Sequence, residues 1–273
     1  MPMPDSEPAA AAAAAPPRGG LSKLLANVRA LCFALWTFTL AVPLFTVMVI
    51  MSPVVMLTDK IRRLAQHFVN NLWAIASTAP FYRVTIKGAE NLPPSSSPAV
   101  YIANHQSFMD IYSLFHLQRP FKFISKTSNF LIPIVGWSMF MTGHVMLNRV
   151  DRRSQLKCLQ TCIELLGAGA SVLFFPEGTR SKDRVMGGFK KGAFSVAVKA
   201  KAPVVPITLI GTGDVMPSGR EGEMYGGHVT IVVHPPIPTA GADADAVCDA
   251  ARRAVASALP AELVGDPSVM ASE

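Results

Sequence analysis

The feature that most restricts the fold is a run from Ala30 to Thr58 that contains no charged residue. A bilayer core about 30 Å thick is crossed by roughly 20 apolar residues in a helix, so this run is long enough to cross one. Pro43 and Pro53 interrupt it, and proline is favourable at a helix start but costly inside a helix. We therefore predict that a second helix, over about residues 53–78, turns back from the first.

The predicted second helix favours a hairpin embedded in one leaflet over a single spanning helix. Trp73 lies near its end, and its early part carries four charged residues, Asp59, Lys60, Arg62 and Arg63. Charged side chains beside an interfacial aromatic ring are typical of a helix that lies in or dips into a membrane surface. We expect residues 21–80 to form this membrane-anchoring helical hairpin.

Residues 1–20 precede the hairpin and are predicted to be a disordered leader rich in Ala and Pro. They include seven consecutive alanines, from Ala9 to Ala15, a composition that cannot bury a core. Organelle transit peptides are rich in Arg and Ser and poor in acids. Here Asp5 and Glu7 precede the first arginine, so no targeting signal is readable.

From residue 81 to residue 260 the chain alternates short apolar runs with helical stretches. The runs that indicate strands are 83–86, 99–103, 121–125, 144–147, 171–175, 204–210 and 229–234. Helices are predicted over 154–166, 192–200 and 245–259. This alternation is typical of an α/β domain, so we predict a largely parallel sheet flanked by helices, followed by a tail, 261–273.

Two polar residues follow the candidate strand at 99–103. His105 comes directly after it, and Asp110 comes five residues later. On one continuous helix their side chains would diverge by roughly 140°, so they meet only if the helix starts after His105. Ser107-x-x-Asp110 resembles a capping box, which puts Asp110 in the first helical turn. The pair is then a candidate base and its orienting carboxylate, the alternative being a capping Asp near an ordinary strand-end histidine.

A second polar segment, Pro176 to Ser181, follows the candidate strand at 171–175 and includes Glu177, Gly178, Thr179 and Arg180. Glycine allows a ligand to approach the backbone closely, threonine donates a hydroxyl, and arginine offers two parallel donors to a phosphate. This composition suits a loop that holds an anion. In isolation it also fits an ordinary turn with solvated charges.

Asn104-His105-x-x-x-x-Asp110 resembles the first signature block of the glycerolipid acyltransferases, and the run from Phe175 to Arg180 resembles the third. Gly143 to Arg149 resembles the second block, with Met146 and Leu147 where the family more often has Phe and Ile, and 204–207 resembles the fourth. The likeness spans about residues 83–235. Its middle section, at 153–156 and 189–197, is closest to the plastid branch of the 1-acyl-sn-glycerol-3-phosphate acyltransferases.

This resemblance implies the glycerolipid acyltransferase fold and transfer of an acyl group from a thioester to the sn-2 hydroxyl of 1-acylglycerol 3-phosphate, giving phosphatidic acid. It implies that His105 is the general base and Asp110 its orienting carboxylate. Glycerol phosphate would be held by Glu177, Gly178, Thr179 and Arg180, with Arg149 and Lys126 as further candidates. The alternatives are glycerol 3-phosphate or another lysophospholipid as acceptor, or a membrane-anchored lipid-binding module without activity.

The distribution of charge along the chain indicates which acyl donor the protein uses. Between Arg119 and Lys201 there are 14 Lys/Arg and 4 Asp/Glu, a balance of +10 (14 − 4), whereas the whole chain carries +7. A basic surface can steer an acidic carrier, so we favour acyl carrier protein over coenzyme A.

The four cysteines lack metal-type spacing, and we expect no metal, no further cofactor and no nucleic-acid partner. The expected partners are lysophosphatidic acid, the thioester donor and the bilayer, in a plastid membrane by resemblance.

Overall fold

The structure, a computed structural model, describes residues 19–266 and residue 268. Nearly all of the predicted leader and much of the predicted tail lie outside these residues, so both remain predictions. The tail begins with a short 3-10 helix, Ala261–Leu263.

A seven-stranded sheet forms the centre of the molecule, in the order β1-β7-β6-β2-β5-β3-β4. All neighbouring strands are parallel except β6 and β7. The strands are β1 Tyr82–Lys87, β2 Val100–Ala103, β3 Phe121–Lys126, β4 Val145–Leu147, β5 Ser171–Phe174, β6 Val204–Ile210 and β7 Gly227–Val233. The seven predicted strands and the largely parallel sheet are therefore confirmed.

Eight α-helices are present in the described residues: α1 Gly20–Thr58, α2 Leu64–Thr78, α3 Met109–Leu114, α4 Val135–Thr142, α5 Arg152–Gly167, α6 Gly192–Ala200, α7 Thr212–Val215 and α8 Ala244–Ala258. The helices predicted at 154–166, 192–200 and 245–259 correspond to α5, α6 and α8 within two residues at each end. The predicted helix start after Ser107 corresponds to α3, whereas α4 and α7 were not predicted.

Both faces of the sheet are covered, which explains why its central strands are almost entirely apolar. On one face Tyr101 and Leu173 pack with α3, the short 3-10 helix after it, and Phe33 of α1. On the other face Val100 and Val172 pack with α5, α6 and α8. The carboxyl ends of β2 to β6 meet at one edge of this layered structure, and the polar segments after β2 and β5 lie there side by side.

The N-terminal helices form a hairpin, but the predicted start of its second helix is wrong. α1 runs through both Pro43 and Pro53 and ends only at Thr58, and α2 begins at Leu64. The reversal is set by Asp59, whose carboxylate accepts hydrogen bonds from the backbone N–H of Arg62 (3.2 Å) and of Leu64 (2.8 Å). The carboxylate thereby accepts from the first free N–H group of α2, at Leu64, which favours a helix start there, and neither proline supplies such an acceptor.

Candidate active site

His105 and Asp110 meet at the carboxyl end of β2. The distance between Nδ1 of His105 and Oδ2 of Asp110 is 2.7 Å, and Asp110 is fully buried. A buried carboxylate that already accepts backbone N–H bonds requires Nδ1 to be the protonated ring nitrogen. The imidazole side chain is 12% exposed, so Nε2 keeps a lone pair at a site that a ligand can reach.

A local turn brings the carboxylate to the ring. Oδ2 of Asp110 also accepts from the backbone N–H of Gln106 and of Ser107, both at 2.8 Å. The hydroxyl of Ser107 in turn accepts from the N–H of Met109 at 3.1 Å. Ser107 and Asp110 thus form a capping arrangement at the start of α3, and the spacing of His105 and Asp110 is what allows it.

The position of His105 is also fixed from β5 and the loop that follows it. The ring of Phe175 stacks on the imidazole with 3.9 Å between ring centroids. The backbone N–H of His105 donates to Oε1 of Glu177 at 2.8 Å, and its carbonyl accepts from the N–H of Ser181 at 3.0 Å. The polar segments after β2 and β5, far apart in sequence, therefore form a single site.

Glu177 faces inward, away from the position that the resemblance implies for an acceptor. It is 1% exposed, and its second oxygen, Oε2, accepts from the N–H of Gly187 at 3.2 Å. Burial raises the pKa of this carboxyl to about 7, and the two backbone donors only partly offset that effect. In this geometry Glu177 joins three loops and fixes the backbone of His105.

Gly178, Thr179 and Arg180 lie at the mouth of the site. Gly178 has a φ of +86°, a backbone conformation that favours glycine. A Cβ atom at this position would lie 2.9 Å from Nζ of Lys190, so the lysine ammonium lies directly over Gly178. The hydroxyl of Thr179 is buried and has no hydrogen-bond partner within the described chain. Arg180 is half-buried and donates to Oε1 of Glu221 at 2.8 Å.

Lys126 and Arg149 are exposed at the same edge but farther along it. Lys126 ends β3, which is separated from β2 by β5, a lateral distance of about 10 Å at the usual strand spacing. Arg149 follows β4, the edge strand next to β3. The structure thus brings together His105, Asp110, Glu177 and the 178–180 loop, and leaves these two cations on the flank.

Comparison with known proteins places the chain in a family. Residues 83–210 match the acyltransferase family model. A 1-acyl-sn-glycerol-3-phosphate acyltransferase of Chlamydomonas reinhardtii is 70% identical over 250 residues, covering 92% of this chain and 75% of the relative. The chain belongs to this acyltransferase family. The resemblance recognised from the four sequence blocks is thereby confirmed.

Other members of the acyltransferase family show the same relationship. A chloroplastic 1-acyl-sn-glycerol-3-phosphate acyltransferase of Brassica napus is 51% identical over 237 residues, covering 87% of this chain and 68% of the relative. The crystal structure of PlsC, the 1-acyl-sn-glycerophosphate (LPA) acyltransferase of Thermotoga maritima, aligns with a TM-score of 0.68 and 28% identity, covering 84% of this chain and 96% of the other. The predicted acyltransferase fold is therefore confirmed.

Two residues of this acyltransferase site were not predicted from sequence. Phe175 was recognised as the first residue of the third signature block but was given no role, and its ring packs on His105. Lys190 lies in the 189–197 stretch that carries the plastid-like resemblance, and the structure brings its ammonium over Gly178. The usable signal was the run Phe189-Lys190-Lys191-Gly192, which places two cations directly beside a glycine within that resemblance.

Proposed function

We propose that this protein transfers a fatty acyl group from a thioester to the sn-2 hydroxyl of 1-acylglycerol 3-phosphate, which yields phosphatidic acid. The observation that carries the proposal is the His105–Asp110 pair, whose geometry leaves one ring nitrogen available as a base. A hydroxyl needs such a base because it is a weak nucleophile while it keeps its proton. The relatives named above carry the name of this reaction.

The base acts on the acceptor. Nε2 of His105 removes the hydroxyl proton as the hydroxyl oxygen attacks the carbonyl carbon of the thioester. The new C–O bond forms, the tetrahedral oxyanion collapses, and the C–S bond breaks. The imidazolium, which the Asp110 carboxylate stabilises, returns the proton to the departing thiolate. No acyl-enzyme is needed, since the attacking oxygen belongs to the substrate.

The acceptor phosphate is assigned to the mouth of the site. Arg180 donates to Glu221 through Nη1 and has further donors on its planar guanidinium, and the Lys190 ammonium lies over Gly178 on the same rim. The buried Thr179 hydroxyl next to Arg180 has no hydrogen-bond partner within the described chain. Glu177 is assigned a positioning role, because both of its oxygens are bonded to backbone N–H groups. Lys126 and Arg149 stay as candidates for a more distant part of the same lipid or its surroundings.

Attachment to one leaflet fits the packing of α1. This helix is long and apolar enough to cross a bilayer, yet only 17% of its most apolar window is buried, whereas a core helix of a soluble protein is mostly buried. Near its start Ala26 accepts from the N–H of Met224 at 3.0 Å, and just past its end Arg62 donates to Ser95 at 2.6 Å. Because both ends of α1 rest on the same domain, its exposed face lies along one leaflet.

The donor and the compartment complete the proposal. The donor is an acyl thioester of acyl carrier protein, with the coenzyme A thioester as the alternative. A plastid membrane is the proposed location, which the chloroplastic relatives support. A lipid enzyme on a membrane surface receives its acceptor and releases its product without moving long acyl chains through water.

The experiment measures thioester consumption by the purified full chain in phospholipid vesicles with three acceptors: 1-acylglycerol 3-phosphate, glycerol 3-phosphate and 1-acylglycerophosphocholine. We expect the highest kcat/KM with the first. A preference for glycerol 3-phosphate or for the zwitterionic lysolipid would replace the assigned acceptor. Absence of turnover with every acceptor and either donor, together with retained lipid binding, would support the non-catalytic lipid-binding alternative.

A further inference from the structure

A second uncharged segment lies on the surface of the catalytic domain. From Thr127 to Asn148 the sequence contains no Asp, Glu, Lys or Arg. Within it the side chains of Leu131, Trp137 and Phe140 are 79%, 53% and 67% exposed. Isolated exposed apolar residues are ordinary, but large aromatic and aliphatic side chains grouped on one short segment indicate a surface that meets an apolar partner. We call residues 127–142, a 3-10 helix followed by α4, the apolar platform.

The apolar platform is fixed to the protein rather than loosely attached. Phe130 is buried beneath it, and a Cβ atom at Gly136 would lie 2.2 Å from the carbonyl oxygen of Phe130, so the two helices touch through their backbones. At the end of α4, Nη1 of Arg63 donates to the carbonyls of Phe140 (2.9 Å) and Met141 (2.8 Å). This guanidinium satisfies helix-end carbonyls and joins the platform to the turn of the hairpin.

The apolar platform continues the lipid-facing surface of α1. The ring of Trp137 lies against that of Phe45, with 6.0 Å between centroids. Phe45 belongs to the part of α1 whose outward side chains, among them Val42 and Ile50, are 54% and 71% exposed. The platform and the run of α1 from Ala30 to Thr58 are both apolar and uncharged. The surface they form together is continuous with the membrane attachment already proposed.

The ends of the uncharged segment match the chemistry of a phospholipid surface. Lys126 immediately precedes it and Arg149 immediately follows it, and both are exposed. Cations beside inserted apolar side chains meet the phosphates of the headgroups. The segment also begins where β3 ends, at the edge of the sheet that holds His105. A bilayer that contacts the platform therefore lies beside the site from which a lipid acceptor enters.

We propose that the apolar platform inserts Leu131, Trp137 and Phe140 into the same leaflet as α1, as a second membrane contact that sets the orientation of the active-site edge. The occupant is a phospholipid leaflet. A second copy of the chain is disfavoured, because the adjoining α1 surface is already assigned to the leaflet. The second copy would have to cover the platform alone. The inference rests on the proposed attachment of α1 to one leaflet and is independent of the reaction.

The experiment uses the three tryptophans as depth probes, with the full chain reconstituted into phosphatidylcholine vesicles whose acyl chains are brominated near the headgroup or near the chain end. Trp36→Phe with Trp73→Phe leaves Trp137 on the platform. Trp73→Phe with Trp137→Phe leaves Trp36, 41% exposed on α1, as the reference for the anchor. A chain without these tryptophans that carries Lys199→Trp, on the last turn of α6, is the solvent control.

We expect Trp137 to lose most of its emission to the bromines near the headgroup, as Trp36 does, and the Lys199→Trp variant to lose little. If Trp36 is quenched but Trp137 is quenched no more than the control, the proposed insertion of the platform is wrong and the attachment of α1 stands. Quenching of neither would overturn both. If Trp73→Phe unfolds the chain, the difference in quenched emission between the native chain and Trp137→Phe gives the same answer with Trp73 intact.

Discussion

His105 is held at four points, all of which fix the ring that we propose as the general base. Asp110 fixes the tautomer, Phe175 covers one face of the ring, and Glu177 and Ser181 bind the backbone on either side of the Cα atom. A general base acts over a narrow range of distance and direction, so in the proposed mechanism this restraint contributes to catalysis directly. In that mechanism His105 transfers the proton, and the other residues position its ring.

Replacing His105 by Ala or Asp110 by Asn should nearly abolish transfer and leave the fold intact. Loss of a general base typically costs 10²–10⁴-fold in rate, and the amide introduced by Asp110→Asn would no longer offer a carboxylate to Nδ1–H. The measurement is kcat/KM for the thioester with 1-acylglycerol 3-phosphate. His228→Ala, at an exposed strand residue, is the matched control. Turnover near the native rate in purified His105→Ala would refute the mechanism.

Glu177 gives a prediction about pH. Its pKa is raised from 4.5 to about 7, so the folded state favours the protonated carboxyl. The stability associated with Glu177 is therefore fully present below pH 4.5 and is lost as pH rises through about 7, by at most about 3 kcal/mol. Glu177→Gln should remove this slope in Tm between those pH values. Glu90→Gln, at an exposed position, should keep it, and equal slopes in all three chains would contradict the assignment.

Arg180→Ala should mainly weaken binding of the phosphate-bearing acceptor. Hydrogen bonds to a charged group contribute roughly 1.5–3 kcal/mol, so the acceptor KM should rise by roughly 10- to 100-fold while the donor KM changes little. Steady-state kinetics with each substrate varied in turn measure this. Arg253→Ala, exposed on α8, is the control for loss of a surface charge. A rise confined to the donor KM would mean that Arg180 serves the thioester.

The sequence alone predicted the contact between His105 and Asp110 but not the contact between Glu177 and His105. The reason is the separation of the residues along the chain. The histidine and the aspartate are five residues apart, so a local turn signalled by Ser107 brings them together. Glu177 meets His105 across 72 positions of sequence, and only the order of the strands makes β5 a neighbour of β2. Without that order, a glutamate beside Gly178 and Arg180 was interpreted as part of an anion site.

At the scale of elements, one buried lysine holds the hairpin to the sheet. Lys122 on β3 is fully buried, and its Nζ donates to the carbonyls of Arg62 (2.7 Å) and Thr142 (2.6 Å) and lies 3.2 Å from Nε2 of His67. It thereby connects β3, the end of α4 and the turn before α2. Burial lowers the pKa of Lys122 to about 7, and the two carbonyls favour the ammonium form.

Lys122→Met should destabilise the junction between the hairpin and the domain. Methionine fills a similar volume but leaves both carbonyls without a donor, at roughly 1–3 kcal/mol each. Thermal unfolding in detergent should show a clear drop in Tm, and Lys87→Met, exposed on β1, should show none. A Tm equal to or above that of the native chain would mean that desolvation of the ammonium outweighs its hydrogen bonds.

The elements that the sequence predicted well are those whose environment is uniform. The central strands are buried on both faces, so short apolar runs bounded by turns were enough to locate them. The start of α2 was missed because Asp59, rather than either proline, determines the reversal. α4 was missed because its exposed side is as apolar as its buried side, so it lacks the polar alternation by which a surface helix is recognised.

At the scale of the whole molecule, positive charge is concentrated in one stretch of the catalytic domain, and part of it lies on α5. The first turns of α5 expose Arg152, Arg153 and Lys157, next to the exposed apolar side chain of Leu156 (61%). They belong to the stretch from Arg119 to Lys201 that carries +10 within a chain of +7. A basic surface with an apolar centre matches an acidic carrier protein better than it matches the small nucleotide of coenzyme A.

We therefore expect kcat/KM to be higher with acyl carrier protein than with coenzyme A for the same acyl chain, and to fall more steeply with salt. Long-range attraction between an acidic carrier and the α5 surface accelerates association, and ions screen it over about 8–10 Å at physiological strength. Reversing the charges with Arg152→Glu, Arg153→Glu and Lys157→Glu should remove both the preference and the additional salt dependence.

The control for this charge reversal is Arg253→Glu on α8, an exposed arginine outside the basic stretch. It should leave the ratio of the two donor efficiencies unchanged, because it lies on another helix. The basic stretch could instead face anionic lipid, which would serve both donors equally. Equal efficiencies with the same salt slope, or a lower rate with both donors after the triple reversal, would therefore assign α5 to the membrane surface and leave the choice of donor to the acyl site itself.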